Sequence, residues 1–275
     1  LISNLLLVAG VFVLGMALRA CPTVLLQRAG TLTILGGSYL GGWKLTHSHV
    51  VSAICASSWL VLPWLEILTQ IRKISLPIQR KLRRKTGAVS TPEMESLDTQ
   101  ITDAGFEHME DCGWEEGAES HFYRVYYHPA QRTQAALCLV AQNGFSFWYL
   151  SLCSRGSDGG TWTTSNYPFP SSLKIQPQCK LQLVRNPPGD FPRLFPALLN
   201  RHSEFLRLCK VQTAQLSEVA PDQVQALLQS DLETQIRHNL ESGLLRDAGD
   251  GEVRYSWRGL FFIWVQTLRE FVRPS

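Results

Sequence analysis

Apolar positions run almost unbroken through the first quarter of the chain and then give way to short alternating stretches. Leu1 to Leu18 holds no charged residue, and Val50 to Leu68 holds only Glu66. Each run matches the roughly 20 apolar residues that a helix needs to cross a bilayer. Pro63 falls inside the second run and predicts a kink. Trp59 and Trp64 suit a helix that reaches an interface or packs on a partner, and Glu66 lies near enough to the end to reach headgroups. Arg19 is wrong for a lipoprotein cleavage box at Leu18–Cys21, so the first run is read as a span and not as a signal peptide. Between the runs, Thr31 to Trp43 is too short to span. Its pairs Gly36-Gly37 and Gly41-Gly42 are read first as a flexible or interfacial connector, and second as a close helix-packing or pigment-packing face.

From residue 121 onward the period shortens. His121–Tyr127, Gln134–Val140, Phe145–Cys153, Gly160–Asn166 and Cys179–Val184 are β-branched or aromatic runs bounded by turn residues. Their spacing leaves no room for crossover helices, so an antiparallel sheet of about five strands is expected. Phe145–Cys153 is apolar on both faces and belongs in the middle of that sheet. Gly160–Asn166 alternates Thr/Ser with Trp162, Thr164 and Asn166, so one of its faces is polar and is expected to be exposed. Helical spacing appears in Pro92–Ala104, in Phe195–Lys210 and in Pro221–Ser242, where Gly243 is the stop. The tail, with Trp257, Phe261 and Trp264 beside Arg258, Arg269 and Arg273, suits a lipid surface, a partner or its own core.

The expected fold is therefore a membrane protein with about two N-terminal transmembrane helices plus an α+β soluble domain. Its parts are a transmembrane hairpin with a Gly-rich connector (1–71), a polybasic juxtamembrane linker (72–92), an α+β domain (93–254) and an amphipathic aromatic-rich helix (255–275).

Charge sharpens this division. Residues 1–87 carry ten Lys/Arg against one acid, a net +9, while residues 88–275 carry sixteen against twenty-two, a net −6. Arg72, Lys73, Arg80, Lys81, Arg83, Arg84 and Lys85 follow the second run and form the expected membrane anchor. By the positive-inside rule they put the C-terminal domain on the cytosolic side. Every charge from Gly87 to Ser120 is acidic, a solvated face or a dock for a basic partner. A net negative domain argues against nucleic acid as a partner.

Candidate chemistry is sparse. Seven cysteines are scattered without Cys-x-x-Cys spacing, and are read as reduced structural thiols. His47 and His49 are the weak candidates for a haem- or chlorophyll-type ligand, against the reading of solvated interfacial histidines. The acids lack a calcium-loop spacing, Gly156–Gly160 lacks the Lys-Ser/Thr of a phosphate loop, and hydrolase and kinase motifs are missing. Ser154, His202 and Asp158 can be assembled on paper into a triad, as any chain of this size permits. Arg124, Arg155 and Arg185 are strand-end charges or an anion site. Without catalytic or cofactor motifs, the expected function is a non-catalytic accessory or scaffolding subunit of a larger membrane complex. The alternatives are a membrane-tethered ligand-binding or regulatory domain and, last, an enzyme.

Overall fold

The N-terminal apolar run folds as helix α1 (Ile2–Ala20), followed by α2 (Val24–Thr46) and α3 (His49–Thr69). This computed structural model describes residues 2–21, 24–79, 82–84, 91–116, 119–142, 145–184, 193–220 and 223–272. The stretch 31–43, expected foremost as a connector, is instead the middle of α2. Each helical glycine costs about 1 kcal/mol relative to alanine. Here close packing offsets that cost, since a Cβ on Gly42 would lie 2.7 Å from Ser52 Cα of α3. Pro63 has no N–H to donate to the preceding turn, and α3 bends there: His49–Trp59 and Pro63–Lys73 lie 53° apart. No single helix among the described residues is long and apolar enough to cross a membrane. That bent pair meets the length and composition only when taken together.

A short 3₁₀ turn (Ile71–Lys73) leads into β1 (Ser75–Pro77), and β2 (Arg83–Arg84) follows. Thr91 caps α4 (Pro92–Asp103) by accepting the Met94 N–H, with proline at the first helical position. Then come β3 (Glu107–Glu116), β4 (Glu119–His128), β5 (Thr133–Gln142), β6 (Phe145–Arg155), β7 (Thr161–Ser165) and β8 (Cys179–Leu183). The chain ends in α5 (Leu194–Leu208), α6 (Val224–Glu241), the hairpin β9 (Leu245–Gly249) and β10 (Glu252–Tyr255), and α7 (Trp257–Val272).

Among the described residues one sheet runs β2-β3-β4-β5-β6-β7-β8 and a smaller one runs β1-β10-β9. The fold is α+β with a mixed sheet. The expectation of a wholly antiparallel sheet is corrected at its far end, where β8 runs parallel to β7 with Thr161 opposite Cys179. A parallel return needs about a dozen linking residues, and residues 166–178 supply them as an irregular proline-bearing loop. Asn239 holds that loop in two directions: Lys174 N–H donates to its Oδ1 (2.8 Å), and its Nδ2 donates to Lys174 C=O (2.9 Å).

The acidic stretch 107–116 is a strand and not merely a solvated face. Its Cys112 and Trp114 are buried, while Asp111 accepts hydrogen bonds from Arg124 Nε and Nη2.

The chain divides into two compact units. One comprises residues 1–76, 170–173 and 240–275, and the other 77–169 and 174–239. We call them the helical unit and the sheet unit. In the sheet unit, strand alternation feeds two cores. Phe122, Tyr126, Leu137, Leu150 and Leu152 pack with α4 and α5, and Tyr123, Val125, Tyr127 and Cys138 pack on the other side with Val224 of α6. In the helical unit, Ser256 caps α7 by accepting the Gly259 N–H. Gly259 is required there because a Cβ would fall 2.1 Å from the Leu244 carbonyl oxygen.

Candidate functional site

Helices α1–α3 of the helical unit carry many of their large apolar side chains on the outside. Leu6, Leu32 and Val50 are each 69% exposed, whereas Gln27, Thr31 and Ser52 are buried. The buried hydroxyls are satisfied within their own helices, Thr31 by the Gln27 carbonyl (3.2 Å) and Ser52 by the Ser48 carbonyl (2.9 Å). Glycines let the helices approach. A Cβ on Gly30 would lie 2.6 Å from Gly15 O, and one on Gly15 would lie 2.7 Å from Ile34 Cγ1. This small-residue packing is what helices use where burial of large side chains is not the driving force.

Of the glycines singled out in the sequence, Gly42 makes the closest approach. Gly37 meets Val11 at 3.1 Å, Gly41 meets Val8 at 3.5 Å, and Gly36 faces open space. Sequence reasoning missed Gly15 and Gly30. Their signal was a small residue inside each of two successive helical stretches, visible only once 24–46 is read as a helix.

His47 and His49 sit at the turn between α2 and α3, where His47 takes a left-handed φ of 52°. His49 Nδ1 pairs with the Tyr39 hydroxyl at 2.6 Å, and its ring stacks on Trp43 with centroids 4.2 Å apart. The imidazole is thus held by an aromatic clamp. Among the described residues no group of three or more His, Cys, Asp or Glu could hold a metal ion.

The described residues of the basic run are divided between the two units. Arg72 and Lys73 lie in the helical unit, with the Arg72 guanidinium 5.1 Å from the Trp257 ring centre. Arg83 and Arg84 form β2, opposite Gly113 and Cys112 of β3. Arg80, Lys81 and Lys85 lie outside the described residues.

In the tail, Trp64 of α3 meets Trp264 edge-on at 5.8 Å and Phe261 at 6.5 Å. Leu260 and Ile263 are buried, while Trp257 and Phe261 remain more than half exposed. One side of α7 therefore serves the core of its own unit, and the other side presents aromatics outward.

In the sheet unit the structure brings together Ser154 and His202, two members of the paper triad, and leaves out the third. Ser154 Oγ lies 3.0 Å from His202 Nε2, and Thr164 Oγ1 lies 2.9 Å from Nδ1. Asp158 instead accepts the Gly160 N–H in its turn. Thr133 extends the chain to Ser154 at 2.9 Å. All four residues are buried, and burial pushes the His202 imidazole down to about 4. A neutral imidazole here accepts on one nitrogen and donates from the other. The pairing resembles a nucleophile and its base, but a sealed site gives no substrate a path to Ser154 Oγ. The polar face of Gly160–Asn166, expected to be exposed, is thus corrected. Thr164, Ser165 and Asn166 are buried, and Ser165 Oγ donates to the Leu150 carbonyl at 2.8 Å.

On the opposite face of β6–β8 lies a cleft of about 360 Å³, lined by Cys153, Arg155, Thr163, Cys179, Lys180 and Asp231 among others. Arg155 is bound end-on by both carboxylate oxygens of Asp231. Burial alone would lower its pKa, and those hydrogen bonds outweigh burial and raise it. Arg124 is likewise paired, with Asp111, and Arg185 lies outside the described residues. The described cysteines are all free thiols. Cys138 is pushed by burial up to about 12, which leaves it un-ionised and unreactive at neutral pH.

A family-model comparison, a search of curated proteins and a search of solved structures found no match to this chain.

Proposed function

We propose that this chain is a membrane-anchored accessory subunit, non-catalytic, whose helical unit packs against lipid and the other subunits of a larger membrane complex. The observation that carries the reading is the surface of α1–α3, where many large apolar side chains such as Leu6, Leu32 and Val50 face outward while Gln27, Thr31 and Ser52 are buried and glycines set the helix approach. In water such a surface would be an association site, because soluble monomers rarely expose apolar patches beyond a few hundred Å². In lipid it needs no cover. Arg72 and Lys73 near the end of α3 supply the charge that anionic headgroups attract, and the positive-inside bias puts the sheet unit on the cytosolic side.

The test is membrane fractionation of the full chain followed by carbonate washing, then purification in mild detergent. Retention in the washed membrane and recovery with stoichiometric partners is the expected result. Release of the chain into the carbonate supernatant would overturn the membrane reading, and recovery alone in detergent would overturn the subunit reading. The 360 Å³ cleft on the sheet unit favours one second reading, a tethered ligand-binding module. Solitary recovery in detergent would promote it.

A further inference from the structure

Where α3 bends, its outer face and α7 enclose a groove of about 630 Å³, lined by Trp59, Pro63, Leu65, Glu66, Thr69, Thr267 and Leu268. We propose that this groove binds an aliphatic amine, with the apolar chain along the groove and a cationic, hydrogen-donating head at Glu66. Trp59, Pro63 and Glu66 fall at i, i+4 and i+7, one stripe of the helix spanning roughly 10 Å. That is the reach of a medium-length alkyl chain.

The head is identified by which hydrogens the groove has already committed. Trp59 Nε1–H donates to Ser38 Oγ at 2.7 Å. Thr69 Oγ1–H donates to the Leu65 carbonyl at 2.9 Å, and Thr267 Oγ1–H to the Ile263 carbonyl at 3.0 Å. Pro63 has no N–H. What these side chains offer to a guest is acceptors: two hydroxyl oxygens and the Glu66 carboxylate. An anionic head would meet a negative charge and find no donor. A hydroxyl head would use one acceptor and leave the charge unanswered. An ammonium head satisfies both, while the indole of Trp59 at the far end of the stripe packs the alkyl chain. Glu66 is also the single acid among residues 1–87, so it is the one carboxylate of that segment with which a cationic head can pair.

The experiment uses the full chain in non-ionic detergent and titrates decylamine, decanol and decanoate by calorimetry. Saturable one-site binding is expected, with decylamine a few-fold tighter than decanol, the margin that a partly exposed ion pair gives. Decanoate should bind most weakly. Glu66 is exposed, so Glu66→Gln should keep the helical circular-dichroism signal and bring decylamine to the affinity of decanol. Equal affinity for the three probes, or unchanged decylamine binding in Glu66→Gln, overturns the proposal.

Competition then identifies the source. Displacement of decylamine by phosphatidylethanolamine but not by diacylglycerol assigns the site to an amino-lipid, and failure of both to displace assigns it to a free amine. Because binding is read in micelles, it stands or falls separately from membrane residence, which the carbonate wash tests.

Discussion

Leu137 and Leu14 are the same residue in opposite settings. Leu137 on β5 is fully buried between β4, β6 and the α4–α5 layer, whereas Leu14 on α1 is 55% exposed. The sheet unit follows the rule for proteins in water: apolar side chains inside, and buried polar side chains such as Ser154, Thr164, Asn166 and His202 joined by hydrogen bonds. Helices α1–α3 show another pattern, with large apolar side chains left exposed and close contacts between helices set by Gly15, Gly30, Gly37 and Gly42. The difference teaches that one sequence can encode two ways of packing. In the sheet unit stability derives from removing large side chains from water; in the helical unit it derives from backbone approach.

Truncation is the sharpest way to break that comparison. Leu137→Ala should destabilise the sheet unit by roughly 2–5 kcal/mol, the sum of lost transfer energy and a cavity that only partly collapses. Leu14→Ala should change stability by no more than about 0.5 kcal/mol, as expected of an uncovered side chain. Urea unfolding of both variants in the same detergent checks this. A Leu14 variant as damaged as the Leu137 variant would mean that the outer face of α1 is covered, and the contrast would fail.

The next effect in size comes from acid. The folded pKa of His202, about 4, lies below the ordinary 6.5 because burial disfavours the charged ring. As pH falls from 6.5 towards 4 the unfolded chain binds a proton that the folded chain refuses, so stability drops across that window, by something on the order of 3 kcal/mol. Asp111 acts lower. Burial alone would raise its pKa, but hydrogen bonds from Arg124 and His108 outweigh burial and lower it. Its contribution is therefore present above the ordinary carboxylate value of 3.8 and is lost only as pH falls below it. Melting temperature against pH should fall between 6.5 and 4 in the parent. In His202→Gln it should start lower and stay flat over the same range. A flat parent curve would show that the Ser154–His202–Thr164 network opens to water at little cost.

How much of this was legible differs between the units for a physical reason. Strands reveal themselves through alternation, so β4, β5 and β6 could be read from His121–Tyr127, Gln134–Val140 and Phe145–Cys153. The helices α4, α5 and α6 follow from a 3.6-residue apolar period and their caps. β3 was hidden because its exposed positions, Glu107, His108 and Glu115, are polar, and the two side chains it buries, Cys112 and Trp114, are too few to set a period. The parallel return to β8 was hidden because Asn239, which holds the crossover loop, lies 65 residues from Lys174. The polar face of β7 was misread because Thr164 looks solvated until His202 is known to face it. In the helical unit, Gly-Gly pairs look like hinges to any rule based on propensity, and only the Ser52 backbone opposite Gly42 turns one of them into a packing surface.

That packing surface gives a smaller, cleaner contrast. Gly42→Ala puts a methyl 2.7 Å from Ser52 Cα and 3.2 Å from Cys55 Sγ. Backbone cannot yield as a flexible side chain would, so the cost should be about 1–3 kcal/mol. The α2–α3 contact should loosen, and Cys55 should alkylate several-fold faster. Gly36→Ala, one and a half turns away with nothing within 4 Å of its Cβ, should stabilise by up to about 1 kcal/mol through helix propensity. If both substitutions behave alike, glycine is not setting the helix approach.

The smallest expected effect lies at β2, where the basic run of the sequence joins the sheet unit. Arg84 Nε stands 3.5 Å from Glu110 Oε1, with the Arg84 side chain 76% exposed and Glu110 only 15%. An exposed guanidinium loses little hydration when it pairs, and it gives up side-chain freedom to do so, which leaves a net of about 0–1 kcal/mol. Salt should remove even that, since the Debye length falls from about 10 Å at 0.1 M to about 3 Å at 1 M. Arg84→Ala should therefore shift the urea midpoint of the sheet unit slightly at low salt and not at all at 1 M. Glu110, the less exposed partner, then keeps its solvent contact and is not stranded. A loss above about 2 kcal/mol that persists in high salt would show that Arg84 pins β2 to β3 as part of the core. Part of the basic run would then belong to the architecture of the sheet unit and could not be counted as a lipid anchor.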